Sequence, residues 1–280
     1  MIIDFHTHTF PDRIAAKAIP VLAKTAHMIP SADGTCTNLQ ESMRKAGISV
    51  SVVLPIATNP HQTESINRSA VLVNQTYDNI VSFGSVHPAY SDWYDELSRI
   101  KDAGLTGIKI HPVYQETDID DPAFVRIIRR AADLGLAVIT HGGDDIGYPG
   151  ANRCSPLMCR HVVEETGAFT FIIAHMGGWN RWEEACDELL DLPVYLDTAF
   201  SFRPIHPDES GTWNDEVPRL LTPEEMLAMI RRFGSERILF GSDCPWADQK
   251  EYVQVIQTLG LSEKEKQDIF ADNAKKILHL

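Results

Sequence analysis

A chain of 280 residues can bury a large core without disulfides, as one α/β barrel of about 250 residues or as two smaller domains. Its formal net charge of −14 argues against nucleic acid or an anionic membrane as partner, and no apolar run approaches the ~20 residues that span a bilayer. No basic segment followed by an apolar core opens the chain, so no signal peptide is expected, and five cysteines without paired spacing point to free thiols in a reducing cytoplasm.

The chain begins MIIDFHTHTF, which reads as a strand. Side chains alternate on a strand, so Asp4, His6 and His8 are expected on one face and Ile3, Phe5 and Thr7 on the other. Two imidazoles on one buried face each need a partner for a ring nitrogen. A metal ion would satisfy both; an ordinary surface pair would need none. From Thr9 to about Thr37 runs a long connection in which RIAAKAIPVLAKTAH looks helical.

Seven more short apolar runs follow: ISVSVVLP at 48–55, IVSFGSV at 80–86, TGIKIHP at 106–112, LAVITHG at 136–142, FTFIIAHMG at 169–177, PVYLDTA at 193–199 and RILFGSD at 237–243. Helix-like stretches separate them. DPAFVRIIRRAADLG, SPLMCRHVVEETG and TPEEMLAMIRRFG each open on a capping residue before Pro and close on Gly. CSPLMC lies at the second of these helix starts and is a poor metal motif. FSFRPIHPDESGTWNDEVPRLL at 200–221 is long for a βα connection, as a functional cover would be.

Strands apolar on both faces that alternate with helices imply a parallel sheet, and eight such units imply a closed (β/α)8 TIM barrel, a single domain over 1–280. An open doubly wound sheet is the alternative. It would place a Gly-rich phosphate turn after the first strand, where HTHTFPD stands.

In such a barrel chemistry gathers at the C-terminal ends of the strands. His6 and His8 end the first strand, Lys109 and His111 share a face of the fourth, His141 ends the fifth, His175 the sixth and Asp243 the eighth. Buried without partners, these groups would destabilise the fold; a bound cation would resolve them.

DFHTH, ITHGG, IIAHMGG, FGSDCPW and the C-terminal DNAKKIL, taken in this order, resemble the amidohydrolase superfamily over the whole chain. The resemblance is to its amidohydrolase-related branch, which includes aminocarboxymuconate-semialdehyde decarboxylase and related aromatic-acid decarboxylases. It implies that His6, His8, His141 and Asp243 hold one divalent ion, zinc being the expected metal. It implies that His175 orients or deprotonates a water and that Asp243 both touches the metal and shuttles the proton. Lys109 stands on the strand where two-metal members carry a bridging carboxylated lysine; in that case His175 would ligate a second ion. Otherwise Lys109 pairs with a rim carboxylate or a substrate anion, and His111 makes a supporting hydrogen bond.

Arg13, Arg153 and Arg203 follow strands one, five and seven and are candidates to pair a substrate carboxylate, or are solvated surface charges. Trp179 and Trp246 are candidates to wall an apolar pocket, or pack between loops. The expected function is hydrolysis of an amide, ester or lactone of a small, carboxylate-bearing molecule. Non-oxidative decarboxylation of a small unsaturated or aromatic acid is the rival chemistry, and a metal-dependent binding protein without turnover the rival of another class. The partner is expected to be a small molecule, and a homo-oligomer is allowed.

Overall fold

Parallel strands and helices alternate along the chain in this computed structural model, which describes residues 1–210 and 219–280. The strands are β1 (Ile3–Thr7), β2 (Val50–Val53), β3 (Ile80–Ser82), β4 (Gly107–Ile110), β5 (Ala137–Thr140), β6 (Phe171–Ile173), β7 (Tyr195–Asp197) and β8 (Ile238–Leu239). Two hydrogen-bonded runs, β1-β2-β3 and β4 through β8, meet at two seams. At one, the Gly84 amide donates to Gly107 O (2.9 Å) and the Lys109 amide to Gly84 O (2.8 Å). At the other, the Phe5 amide donates to Phe240 O and the His8 amide to Cys244 O, both at 2.7 Å. The result is the (β/α)8 barrel that the alternation of elements predicts.

Each strand is shorter than its apolar run, and from β2 to β8 the run continues past the C-terminal end of the strand into the loop. Alternation sorts the rest. Ile3, Phe5, Val50, Val52, Phe83, Ile139, Ile172 and Leu239 form one cluster inside the barrel, joined by Ala274, Ile277 and Leu278 of the terminal helix. Ile108, Val138, Phe171, Ile173 and Ile238 belong to the larger outer core, together with Phe124, Ile128, Val162 and Ile230 of the surrounding helices.

This sorting corrects one expectation. Asp4 does not share a face with His6 and His8. The β1–β2 register slips between Asp4 and Thr7, which is one extra residue on β1, and a bulge of that kind reverses the parity of the residues beyond it. Ile3 and Phe5 therefore face the barrel interior, while Asp4 faces outward. There it accepts hydrogen bonds from the Ser242 amide (3.0 Å), Ser242 Oγ (2.5 Å) and Gln249 Nε2 (2.7 Å). Past the bulge, His6 and His8 turn in to the rim.

The three capped helices form where their signals stand: Pro122–Asp133, Pro156–Thr166 and Pro223–Phe233. Asp121, Ser155 and Thr222 accept from the amides of Ala123, Met158 and Glu225. In CSPLMC, Cys154 and Cys159 bring their sulfurs to 3.6 Å, both fully buried, across the first turn of the second of these helices. These are the positions of a hydrophobic staple. The first helix spans Asp12–Ala26. The chain leaves it through Met28, and the β7 connection packs alongside, with Ile29 N–H donating to His206 O and Asp208 N–H to His27 O. The middle of that connection, 211–218, lies outside the described residues. Among the described residues no helix is long and apolar enough to cross a membrane.

Candidate metal centre

The strand ends converge on one cleft that is open to solvent. His6, His8, Lys109, His111, His141, His175 and Asp243 all line it. Trp179 and Trp246 stand in its wall with Phe10, Leu22, Met28 and Ile56. The three loop arginines are not among its lining residues. Arg13 and Arg203 are exposed, and Arg153 pairs with Asp118 at 2.9 Å.

Proton accounting shows what the imidazoles can do. His8 Nδ1 lies 2.8 Å from Leu54 O, His175 Nδ1 2.8 Å from Ala199 O, and His141 Nε2 2.9 Å from Asp144 O. A carbonyl oxygen only accepts, so each of those nitrogens donates. His6 Nδ1 donates in the same way to Asp197 Oδ2 at 2.7 Å. Burial lowers the pKa of His6 and His141 well below the ordinary imidazole value, and that of His175 to about 4. A neutral ring with one nitrogen donating presents a lone pair at the other.

Those lone pairs face one another. His6 Nε2 and His8 Nε2 are 3.2 Å apart, and His175 Nε2 and His141 Nδ1 are 3.0 Å apart. Asp243 Oδ1 is 3.1 Å from His8 Nε2 and 3.5 Å from His6 Nε2, and this buried oxygen has no hydrogen-bond partner. Acceptors held this close repel unless a cation lies among them. Imidazole nitrogen with carboxylate oxygen is a donor set that suits a divalent ion of the zinc or manganese kind. His6, His8 and Asp243 offer ligand atoms all within 4.8 Å of one another; His111, His141 and Asp145 form a second such group.

The backbone is strained where the chemistry would be. His175 (φ 61°) and Asp243 (φ 69°) both occupy the left-handed region, at a cost of order 1–3 kcal/mol each. Neighbours hold them there. Asp197 Oδ1 accepts the His175 amide at 2.9 Å, and the Asp243 amide donates to His6 O at 2.8 Å. Burial works to raise the Asp243 pKa, and His6, His8 and His175 offset it only where those rings are protonated. Lys109 is 1 % exposed, and burial brings its pKa down to about 8 against the pull of Asp197 and Asp243.

Four participants escape the sequence reading. Asp197 fixes both His6 and His175, and its signal was a carboxylate ending PVYLDTA, the position that singles out His175 on its own strand. Asp145 follows His141 by four residues in ITHGGDD and lies 3.4 Å from His111 Nε2. Tyr114 stacks on His111, which stacks on His141, with centroids 3.9 and 4.2 Å apart. Gln115 donates to Ala57 O and Val86 O and accepts the His111 amide, so one buried side chain joins the loops after β2, β3 and β4.

Comparison with known proteins gives the fold a family. No curated protein matches the chain. Among solved structures, an uncharacterized TIM-barrel protein of Bordetella bronchiseptica superposes with TM-score 0.74 at 18 % identity, over 99 % of this chain and 98 % of that one. A Pseudomonas putida protein named for 2-pyrone-4,6-dicarboxylic acid hydrolysis gives 0.64 at 18 %, over 99 % and 97 %. A dihydroxybenzoic acid decarboxylase of a Polaromonas species, with manganese and 2-nitroresorcinol bound, gives 0.69 at 13 %, over 100 % and 97 %. At such identities these likenesses speak for the barrel alone. The amidohydrolase family model matches residues 3–280, so the chain belongs to the amidohydrolase family.

Proposed function

We propose that this protein is a metal-dependent hydrolase acting on an amide, ester or lactone of a small organic molecule. The observation that supports it is the set of inward lone pairs on His6, His8, His141 and His175 beside the partnerless Asp243 Oδ1. A divalent ion, zinc in this reading, would be held by His6, His8, His141 and Asp243 and would supply Lewis acidity and a water made acidic enough to ionise near neutral pH. Asp243, whose Oδ1 faces the His6 and His8 nitrogens, would take the proton of that water and pass it to the leaving group. His175 orients the water through Nε2, its own tautomer set by Ala199 O. The apolar wall of Phe10, Leu22, Met28, Ile56 and the two tryptophans sheds bulk water from the reacting group.

One ion is proposed, with Lys109 an unmodified amine. His175→Asn then keeps the metal; loss of one equivalent in that variant would point to two ions and a carboxylated Lys109. His6→Ala with His8→Ala should leave the barrel folded and unloaded, because the ligands sit above the packed layers. Full metal content in the double variant would overturn the ligand assignment.

Decarboxylation is the second reading, and one observation favours it. No arginine is among the described residues that line the cleft, so a substrate carboxylate finds its cation only at the metal end, beside Lys109. Turnover in oxygen-labelled water separates the two. Hydrolysis places solvent oxygen in the product. Carbon dioxide release with solvent deuterium on carbon, and no oxygen label, would make the protein a carboxy-lyase.

A further inference from the structure

We propose that Asp145 selects substrates whose end remote from the metal carries a hydrogen-bond donor, a hydroxyl or an amino group, and excludes those with a second carboxylate there. The inference rests on the metal-dependent reading above.

The polar groups of the cleft fall into two sets. His6, His8, His175, Asp243 and Lys109 surround the metal position. Asp145 lies at the Nε2 edge of the His141 ring, away from the Nδ1 that faces His175, and His111 stacks on the face of that ring. Asp144 also lines the cleft, but its carboxylate is taken by Arg181 Nε (2.7 Å) and Asn180 Nδ2 (3.0 Å).

Asp145 is different. It is 6 % exposed, and the Gly147 amide donates to Oδ1 at 2.8 Å, while the Tyr148 amide donates to the Asp145 backbone carbonyl at 3.1 Å. Around Oδ2 stand His111 Nε2 at 3.4 Å, long for a hydrogen bond, and His141 Nε2 at 4.0 Å. The His141 Nε2 proton is already given to Asp144 O. Oδ2 is thus a charged acceptor on the wall of the cleft, and none of the described lining residues near it is an arginine. An O–H or N–H of the substrate completes it; a carboxylate meets like charge with no cation to offset it.

A second cation among His111, His141 and Asp145 is the competing use of the same atoms. The protons argue against it. His141 Nε2 donates to Asp144 O, and His111 Nδ1 faces the Tyr114 amide at 3.4 Å as acceptor, which leaves the hydrogen of His111 on Nε2. Both nitrogens that would ligate the ion carry hydrogens instead.

The test uses zinc-loaded protein and four probes that share one anionic end: phenylacetate and its 4-hydroxy, 4-amino and 4-carboxy derivatives. Affinities are read by calorimetry, with metal content measured alongside. The hydroxy and amino probes should bind about tenfold tighter than phenylacetate, as one charge-assisted hydrogen bond allows, and the carboxy probe about tenfold weaker. Asp145→Asn keeps the shape and removes the charge, and should bring the four affinities to within about threefold, with the melting temperature not lowered. Equal binding of the hydroxy and carboxy probes, no binding of any probe by loaded protein, or unchanged ratios in Asp145→Asn would each overturn the role of Asp145 alone. Two equivalents of zinc falling to one in Asp145→Asn would make it a ligand instead. Protein that takes up no metal at all would overturn the hydrolase reading, and this inference with it.

Discussion

Single side chains act here through where their hydrogens are. Asp197 touches no solvent, yet it sets the tautomer of His6 through Nδ1 and seats His175 by accepting its amide. A carboxylate behind a ligating imidazole raises its basicity and fixes its plane. Asp197→Asn should therefore weaken metal binding about 10- to 100-fold while the protein stays folded. Chelator competition measures this, and unchanged affinity would show that His6 needs no such support. At this scale the sequence was partly legible. Strand position alone points to His6, His8, Lys109, His111, His141, His175 and Asp243, and the structure places all seven on one cleft. Asp197 and Asp145 are not singled out, because a lone carboxylate after an apolar run looks the same whether it holds a histidine or faces water. The three arginines failed as cleft residues for the converse reason: a loop position says nothing about where a long side chain turns.

At the scale of elements, the bulge in β1 is decisive. Strict alternation puts Asp4 with the two histidines; one extra residue puts it on the outer face with Ser242 and Gln249. Its carboxylate gathers three donors from β8's loop and the following helix, and so ties the first strand to the last. Asp4→Ala leaves those buried donors without an acceptor and should cost about 3 kcal/mol of stability, by denaturant unfolding. Because Asp4 faces away from the cleft, metal content at low temperature should be unchanged. A loss below 1 kcal/mol would mean that water replaces the carboxylate (a threshold set by roughly one net hydrogen bond). Helix starts are legible in the sequence because a cap is a local contest between a side-chain oxygen and free amides. A bulge is not local: it exists only relative to the partner strand, so no window of β1 alone reveals it.

The whole molecule concentrates titratable groups on one rim, and that makes its stability depend on pH. In the metal-free fold His175 has a pKa of about 4, and His6, His111 and His141 are also held well below their ordinary value by burial. Between the folded values and about 6.5 the unfolded chain binds protons that the native one refuses, so stability rises with pH there. Asp4 and Asp145 work the other way. Burial raises both to about 6, so their effect is a loss of stability as pH climbs from 3.8 to 6, complete above that. From pH 7 down to 6 the histidines outweigh the two carboxyls. Metal-free protein should lose roughly 2 kcal/mol over that unit, and somewhat more over the next unit down, since each proton taken up by the unfolded chain is worth about 1.4 kcal/mol per pH unit. A melting temperature that is flat or rising from pH 7 to 6 would contradict the buried, neutral state of these rings.

The sequence by itself determined the barrel, the order of its strands, the helix starts and the rim histidines, because period, capping chemistry and strand position are properties of short windows. Only the tertiary structure decided which way β1 turns, which carboxylates back the imidazoles, and that the cleft has aromatic walls with Asp145 but none of the three loop arginines. Those facts depend on residues from different strands meeting across the barrel: His6 with Asp197, His141 with His175, Asp4 with Gln249. Contacts between positions tens to hundreds of residues apart leave no periodic trace along the chain, and the closure of the sheet is what brings them within a hydrogen bond.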